Sequence, residues 1–204
     1  AGGSARREGV DGEVATGDAA AGDGGWAGAA GGALRPALVR IVEAVEPLPA
    51  YVLDATLDLL AWNSAAARLF GGLDGKPNIA RLVFTDAGYR ARLVAPGEVE
   101  AEAAGALRLG LTRDPANDRL RALVEELLDA SPVFAALWAA QDVRDKTHGR
   151  KAFTDPEVGA FELEWERLTV PGEAGLALLV YSAQPGTTAA TALSRLGMLS
   201  SASV

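Results

Sequence analysis

Cysteine is absent from this 204-residue chain, which removes disulfides, thiolate metal sites, iron–sulfur clusters and cysteine nucleophiles from consideration. Histidine occurs once, as His148, so the common His-based zinc sites cannot be assembled either. Long apolar runs are missing too: the longest, Leu176 to Tyr181, falls far short of the roughly 18 residues that span a bilayer. Positive charge is scarce, with 19 Lys and Arg against 27 Asp and Glu, a formal net charge of −8 and a pI near 4.7. Duplex binding relies on cations that neutralise phosphates, so this balance opposes a nucleic-acid surface on the chain itself. The single methionine is Met198, and the N-terminus carries neither an initiating Met nor the basic-then-apolar pattern of a secretory leader. The sequence reads as a fragment or trimmed chain from a reducing cytoplasm, with no membrane association.

What is present divides in two. Residues 1–32 hold eleven Gly and nine Ala without any apolar period and read as a flexible linker, because such a stretch cannot offset the entropy of ordering. Its GDGGWA stretch fits a loose dinucleotide fingerprint but lacks the strand and helix that motif requires. Residues 33–204 carry the folded domain. Leu34, Leu38, Ile41, Val42 and Val45 have helical spacing, ended by Pro47 and Pro49. AYVLDATLDLLAWN predicts two short strands around a turn at Asp54 to Asp58, and Asn63 is placed to cap a helix, SAAARLF, closed by Gly71 and Gly72.

Helical spacing follows over 77–93 and from Val99 to about Leu111, separated by Ala95-Pro96-Gly97; Asp114-Pro115 and Ser131-Pro132 then each open a further helix. Asp142 to Arg150 is expected as a polar loop with Gly149 at a turn. Strands near 151–154, 159–170 and 175–184 precede a closing helix, TAATALSRL. Two strands, several helices and three strands describe an α+β domain with a mainly antiparallel sheet.

FELEWERLTV, residues 161–170, poses the functional question. Glu162, Glu164 and Glu166 point one way and Phe161, Leu163 and Trp165 the other. A carboxylate row suits an acid/base pair, but a glycosidase places its pair on separate elements across a cleft, and a calcium site needs further oxygens on a Gly-containing loop. The wet face of an antiparallel sheet accounts for the row more simply. His148, between Lys146, Lys151 and Arg150, has no serine elbow to activate. No catalytic residue, metal site or cofactor is expected, and the chain is read as non-enzymatic. The apolar face joins Trp62, Phe70, Phe84, Phe134, Trp138 and Leu178, an inventory that is more often plain core than a ligand pocket, although pattern does not tell the two apart.

The ordered motifs PAYVLDATLDLLAWNSAAARLFG, NIARLVFTD, DPANDRLRALVEELLDASPVFAALWAAQDV, GRKAFTDPEVGAFELEWERLTVP and GLALLVYSAQPGT resemble the ligand-binding domain of MmyB-like transcription regulators over residues 49–196. That resemblance implies a PAS-like antiparallel sheet with helices packed over one face, enclosing an apolar pocket for a fatty-acid-like ligand. It implies that DNA is bound only through an upstream XRE-type helix-turn-helix domain, absent from this sequence. The expected lining is Trp62, Phe70, Phe84, Leu127, Phe134, Trp138, Phe161, Leu163, Trp165 and Leu178, with Arg108 or Arg90 near a ligand carboxylate; the sheet's other face is left to solvent or a partner. A homodimer is possible within this reading, and the alternative is a structural dimerisation module with a filled core and no ligand. Three positions depart from the family pattern: Asp155 stands where a His-Pro pair is common, Ala87 replaces a Pro, and a Trp is missing at Ala95-Pro96-Gly97. All three are expected near the helical lid.

Overall fold

The computed structural model describes residues 34–75, 77–140, 146–173 and 175–201. The expected linker, 1–32, and positions 142–145 of the expected polar loop lie outside them. Side-chain caps mark where five of the helices begin. Asn63 opens α2 (Ser64–Phe70), Asn78 opens α3 (Ile79–Thr85), Asp86 opens α4 (Ala87–Arg90), Asn117 opens α6 (Asp118–Ala130) and Ser131 opens α7 (Pro132–Ala139). Each accepts a bond from an amide two or three residues on, satisfying donors that the first turn leaves unpaired. α1 (Pro36–Ala44), α5 (Pro96–Arg113) and α7 have Pro in the first turn, where its missing N–H costs nothing. α8 (Thr188–Ser201) closes the domain.

Several boundaries differ from the sequence expectation. The pattern over 77–93 is broken at Asp86, whose side chain accepts from Tyr89 N and starts a new helix. Ala95-Pro96-Gly97 does not separate helices, since Pro96 is the first residue of α5. Asp114-Pro115 does not open α6; Asn117 does. Ile41 is 49% exposed rather than buried with its helical neighbours.

Five strands, β1 (Ala50–Leu53), β2 (Leu59–Trp62), β3 (His148–Asp155), β4 (Gly159–Thr169) and β5 (Ala177–Ser182), form one antiparallel sheet in the order β2-β1-β5-β4-β3. This is a PAS-like α+β arrangement. His148 and Gly149 belong to β3, paired with Glu166 and Trp165, not to a loop. Gly149 marks no turn: a Cβ there would lie 3.1 Å from Trp165 Nε1, so the missing side chain lets the indole lie across the strand.

The main core lies between the sheet and helices α2 to α8. A second core lies on the other face, where Leu38 and Val42 of α1 cover Ala50, Val52, Leu60, Ala61 and Leu178. The outer face is therefore not simply left to solvent or a partner: α1 covers it over β2, β1 and β5. Every residue of β1 is buried, because Tyr51 and Leu53 face one core and Ala50 and Val52 the other. Asn63 pins these layers. Its Oδ1 accepts from Ala50 N and Ala66 N, and its Nδ2 donates to Val42 O and Leu48 O.

Both sheet margins are met by short non-strand segments. Leu59 N donates to Pro77 O and Ile79 N to Leu57 O beside β2; Val94 N donates to Ala152 O and Thr154 N to Arg92 O beside β3. At the end of β3, Asp155 is buried and held by Arg92 at 3.0 Å, Arg68 at 3.9 Å and the Glu157 amide at 2.9 Å. Burial pushes its carboxyl up, but the Glu157 amide and the two guanidinium groups outweigh that and hold it below the usual carboxylate range.

Candidate functional site

A cavity of about 100 Å³ opens between the sheet and α5. α5 lines it with Val99, Glu102, Ala103 and Ala106, spaced i, i+3, i+4 and i+7 and so on one helical face. The sheet supplies Tyr51 and Leu53 from β1, Leu179 from β5, Trp165 and Arg167 from β4, and Lys151 from β3. The cross-strand register explains the set. Tyr51 pairs with Leu179 and Leu179 with Arg167, so three inward-facing side chains form one row across the sheet. Leu57 and Ile79 border the β1 side and Lys146 the β3 side.

The polar groups are segregated. Lys146, Lys151 and Arg167 line one end of the cavity with Glu102, the one carboxylate there among the described residues, which sits 2.8 Å from Lys146 Nζ and 3.8 Å from Lys151 Nζ. Lys146 is 47% exposed and Lys151 only 14%, so the cationic end runs from solvent inward. Lys151 Nζ lies 5.8 Å from the Trp165 ring centroid, at the outer reach of a cation–π contact. The Trp165 Nε1 is buried and has no hydrogen-bond partner. Behind it, Tyr51 and Tyr181 are fully buried and joined by their hydroxyls. Burial and the Tyr181 neighbour push Tyr51 well above the ordinary phenol value, burial does the same to Tyr181, and burial pushes Tyr89 up to about 12. All three stay neutral at ordinary pH, leaving the lysines and Arg167 to set the sign of the site.

Of the side chains singled out from sequence, Trp165 borders this cavity. Phe161 and Leu163 lie on the same strand face but pack into the core, Phe161 stacking on Phe153 at 6.1 Å between centroids. Trp62 and Phe70 are buried on the α2 side, Phe70 meeting Tyr51 and Tyr89 edge-on at 5.3 Å each. Phe84, Phe134 and Trp138 form a separate aromatic group among the helices, with Leu127 buried in the same core. Arg108 lies 4.2 Å over the Trp138 ring and donates to its carbonyl, and Arg90 pairs with Glu100 at 2.8 Å. Neither borders the cavity. Leu178 is placed on the opposite face, against α1: β5 alternates, and Leu179 is the neighbour that turns toward the cavity.

Lys146, Lys151, Arg167 and Glu102 were not among the sequence candidates. The alternation Phe161, Leu163, Trp165 continues to Arg167, and that signal was legible. Glu162, Glu164 and Glu166 face away from the cavity and are exposed, with Arg150 at 3.6 and 3.5 Å from the first two. Among the described residues no cluster of three metal-ligating side chains occurs, and no helix is long and apolar enough to cross a membrane. Asp155 and its arginine partners do not line the cavity, so that departure from the family pattern lies away from the site.

A family model described as the MmyB-like transcription regulator ligand binding domain matches residues 34–196. No curated protein matches the chain.

Proposed function

Given that the chain belongs to the MmyB-like transcription regulator ligand-binding domain family, we propose that the cavity under α5 is its ligand site and takes a small amphiphile with an anionic head and an acyl-like apolar tail. The observation that supports this reading is the charge segregation: among the described residues, three cationic side chains and one carboxylate stand at one end, and Leu53, Leu57, Ile79 and Leu179 at the other. A ligand carboxylate fits the first, with the Trp165 indole N–H as a further donor, and methylenes fit the second at about 0.8 kcal/mol each.

Binding is read as regulation, in keeping with the transcription-regulator family that the chain belongs to. The signal is proposed to reach an upstream helix-turn-helix domain through β1, whose two faces touch the cavity and α1. A ligand that binds two packings of β1 unequally shifts their populations and so alters DNA binding. Titrating the chain with a carboxylate and the matching alcohol, followed by calorimetry, tests the site. The carboxylate should bind at least tenfold tighter, and Lys151→Met should remove most of that difference, as expected for a charged hydrogen bond of about 1.5–3 kcal/mol. Equal affinities for acid and alcohol would defeat the reading.

The packing of most aromatic candidates into plain core favours one other reading, a dimerisation module that holds no ligand. Native mass spectrometry after mild purification separates the two: a co-purifying small molecule supports the sensor, and a dimer mass without one supports the module.

A further inference from the structure

The cavity is small for a long acyl chain, and Leu57 borders its apolar end together with Leu53, Ile79 and Leu179. We propose that Leu57 is a length gauge that restricts this site to short-chain carboxylates; the proposal rests on the carboxylate reading above. Among the described residues Leu57 is the one non-glycine position with positive φ, at 62°. A bulky residue is disfavoured there, and glycine is the usual occupant of such a turn position. The side chain that the strain retains is 8% exposed and borders the cavity beside Leu53 and Ile79.

The turn is fixed from several sides. Leu57 N donates to Asp54 O, Ile79 N donates to Leu57 O, Asn78 Nδ2 donates to Thr56 O and to Asp58 Oδ1, and Arg119 pairs with Asp58. Strain persists where its surroundings over-determine the backbone, and such positions cluster at ligand clamps.

Direction and volume then limit the ligand. Leu57 stands on the β1 side, whereas Lys146 and Lys151 stand on the β3 side, with β5 and β4 between them. A head group held by the lysines therefore points its tail at Leu57. A dry cavity of about 150 Å³ accepts a benzene ring, so one of about 100 Å³ holds roughly four carbons of tail.

The test is calorimetric titration of the full chain with butyrate, hexanoate, octanoate, dodecanoate and tetradecanoate. Affinity should rise about fourfold per methylene while the tail fits, peak near hexanoate and fall beyond it. Leu57→Gly, which suits the observed φ, should move the peak to a tail longer by roughly two to four carbons, the space an isobutyl group vacates after partial collapse. Ala106→Leu, filling the cavity from the half-buried α5 side, should move it the other way.

Affinity that keeps rising to tetradecanoate in the parent chain, or a Leu57→Gly variant with the parent ranking, would overturn the gauge while leaving the carboxylate site standing. A parent chain that binds none of the series sinks the carboxylate reading itself, and the gauge with it. Should Leu57→Gly not fold, an unchanged ranking in folded Ala106→Leu is sufficient to reject the proposal.

Discussion

Replacing Asn63 by alanine removes four hydrogen bonds at one stroke. The lost cap on Ala66 N is worth about 1 kcal/mol by itself. The remaining bonds leave Ala50 N, Val42 O and Leu48 O without the partner that now satisfies them. Ala50 and Val42 are almost completely buried, and a stranded buried group costs about 1–3 kcal/mol. The total is about 4 kcal/mol, which at about 2–4 °C per kcal/mol for a domain of this size lowers Tm by roughly 12 °C. Asn117→Ala is the internal control, because that side chain caps Leu120 N and does nothing else of this kind; its loss should be about 1 kcal/mol. Chemical denaturation of both variants, compared at the same pH, decides the matter. Equal losses would show that the bonds to Val42, Leu48 and Ala50 contribute nothing, and the view of Asn63 as the pin between α1, β1 and α2 would fall.

Other outcomes follow from the same geometry. The Asp155 carboxyl is held below its unfolded value of about 3.9, so its stabilisation is complete above that pH and is lost as pH falls through the folded value; Asp155→Asn should flatten the acid limb of stability measured from pH about 5 to about 2. Changing Glu162, Glu164 and Glu166 together to Gln should alter denaturation stability by less than about 1 kcal/mol, since these are exposed and mutually repulsive; a large loss would mean a hidden partner. Gly110→Ala should destabilise by about 1–3 kcal/mol despite alanine's helix propensity, because the new Cβ would lie 2.8 Å from the buried Leu120 Cδ2 and 3.3 Å from Ala55 O.

The fold was readable because its signals are local and short in period. Asn63 before SAAARLF and Ser131 before a proline identify two helix starts from single residues, and the alternation over 161–166 assigns both faces of β4 without tertiary information. The site was less readable, since a pocket depends on which strands become neighbours. Arg167 lies two residues past Trp165 and is assigned inward by continuing the same period, and the structure places it at the cationic end of the cavity. Lys151 reaches the site only through its pairing with Leu163 across β3 and β4, and Glu102 only through the packing of α5, neither of which a sequence period reports. Leu178 illustrates the converse: in a continuous apolar run, parity is invisible, and only the register with β1 separates Leu178 from Leu179.

The short segments beside β2 and β3 bear on how the protein behaves when concentrated. An open sheet margin is a template on which another chain can add a strand, the first step toward fibrils and domain swapping. Here Pro77 to Ile79 occupies hydrogen-bonding positions along one margin, and Arg92 to Val94 does so along the other. Among the described residues no segment pairs with the outer edge of β3 over His148 to Arg150, where a guanidinium and an imidazole discourage a neutral strand from docking. Resistance to edge-to-edge strand addition is thus written into two tripeptides that belong to no strand, and loosening either, for instance by lengthening the chain around Leu93, should promote aggregation edge to edge.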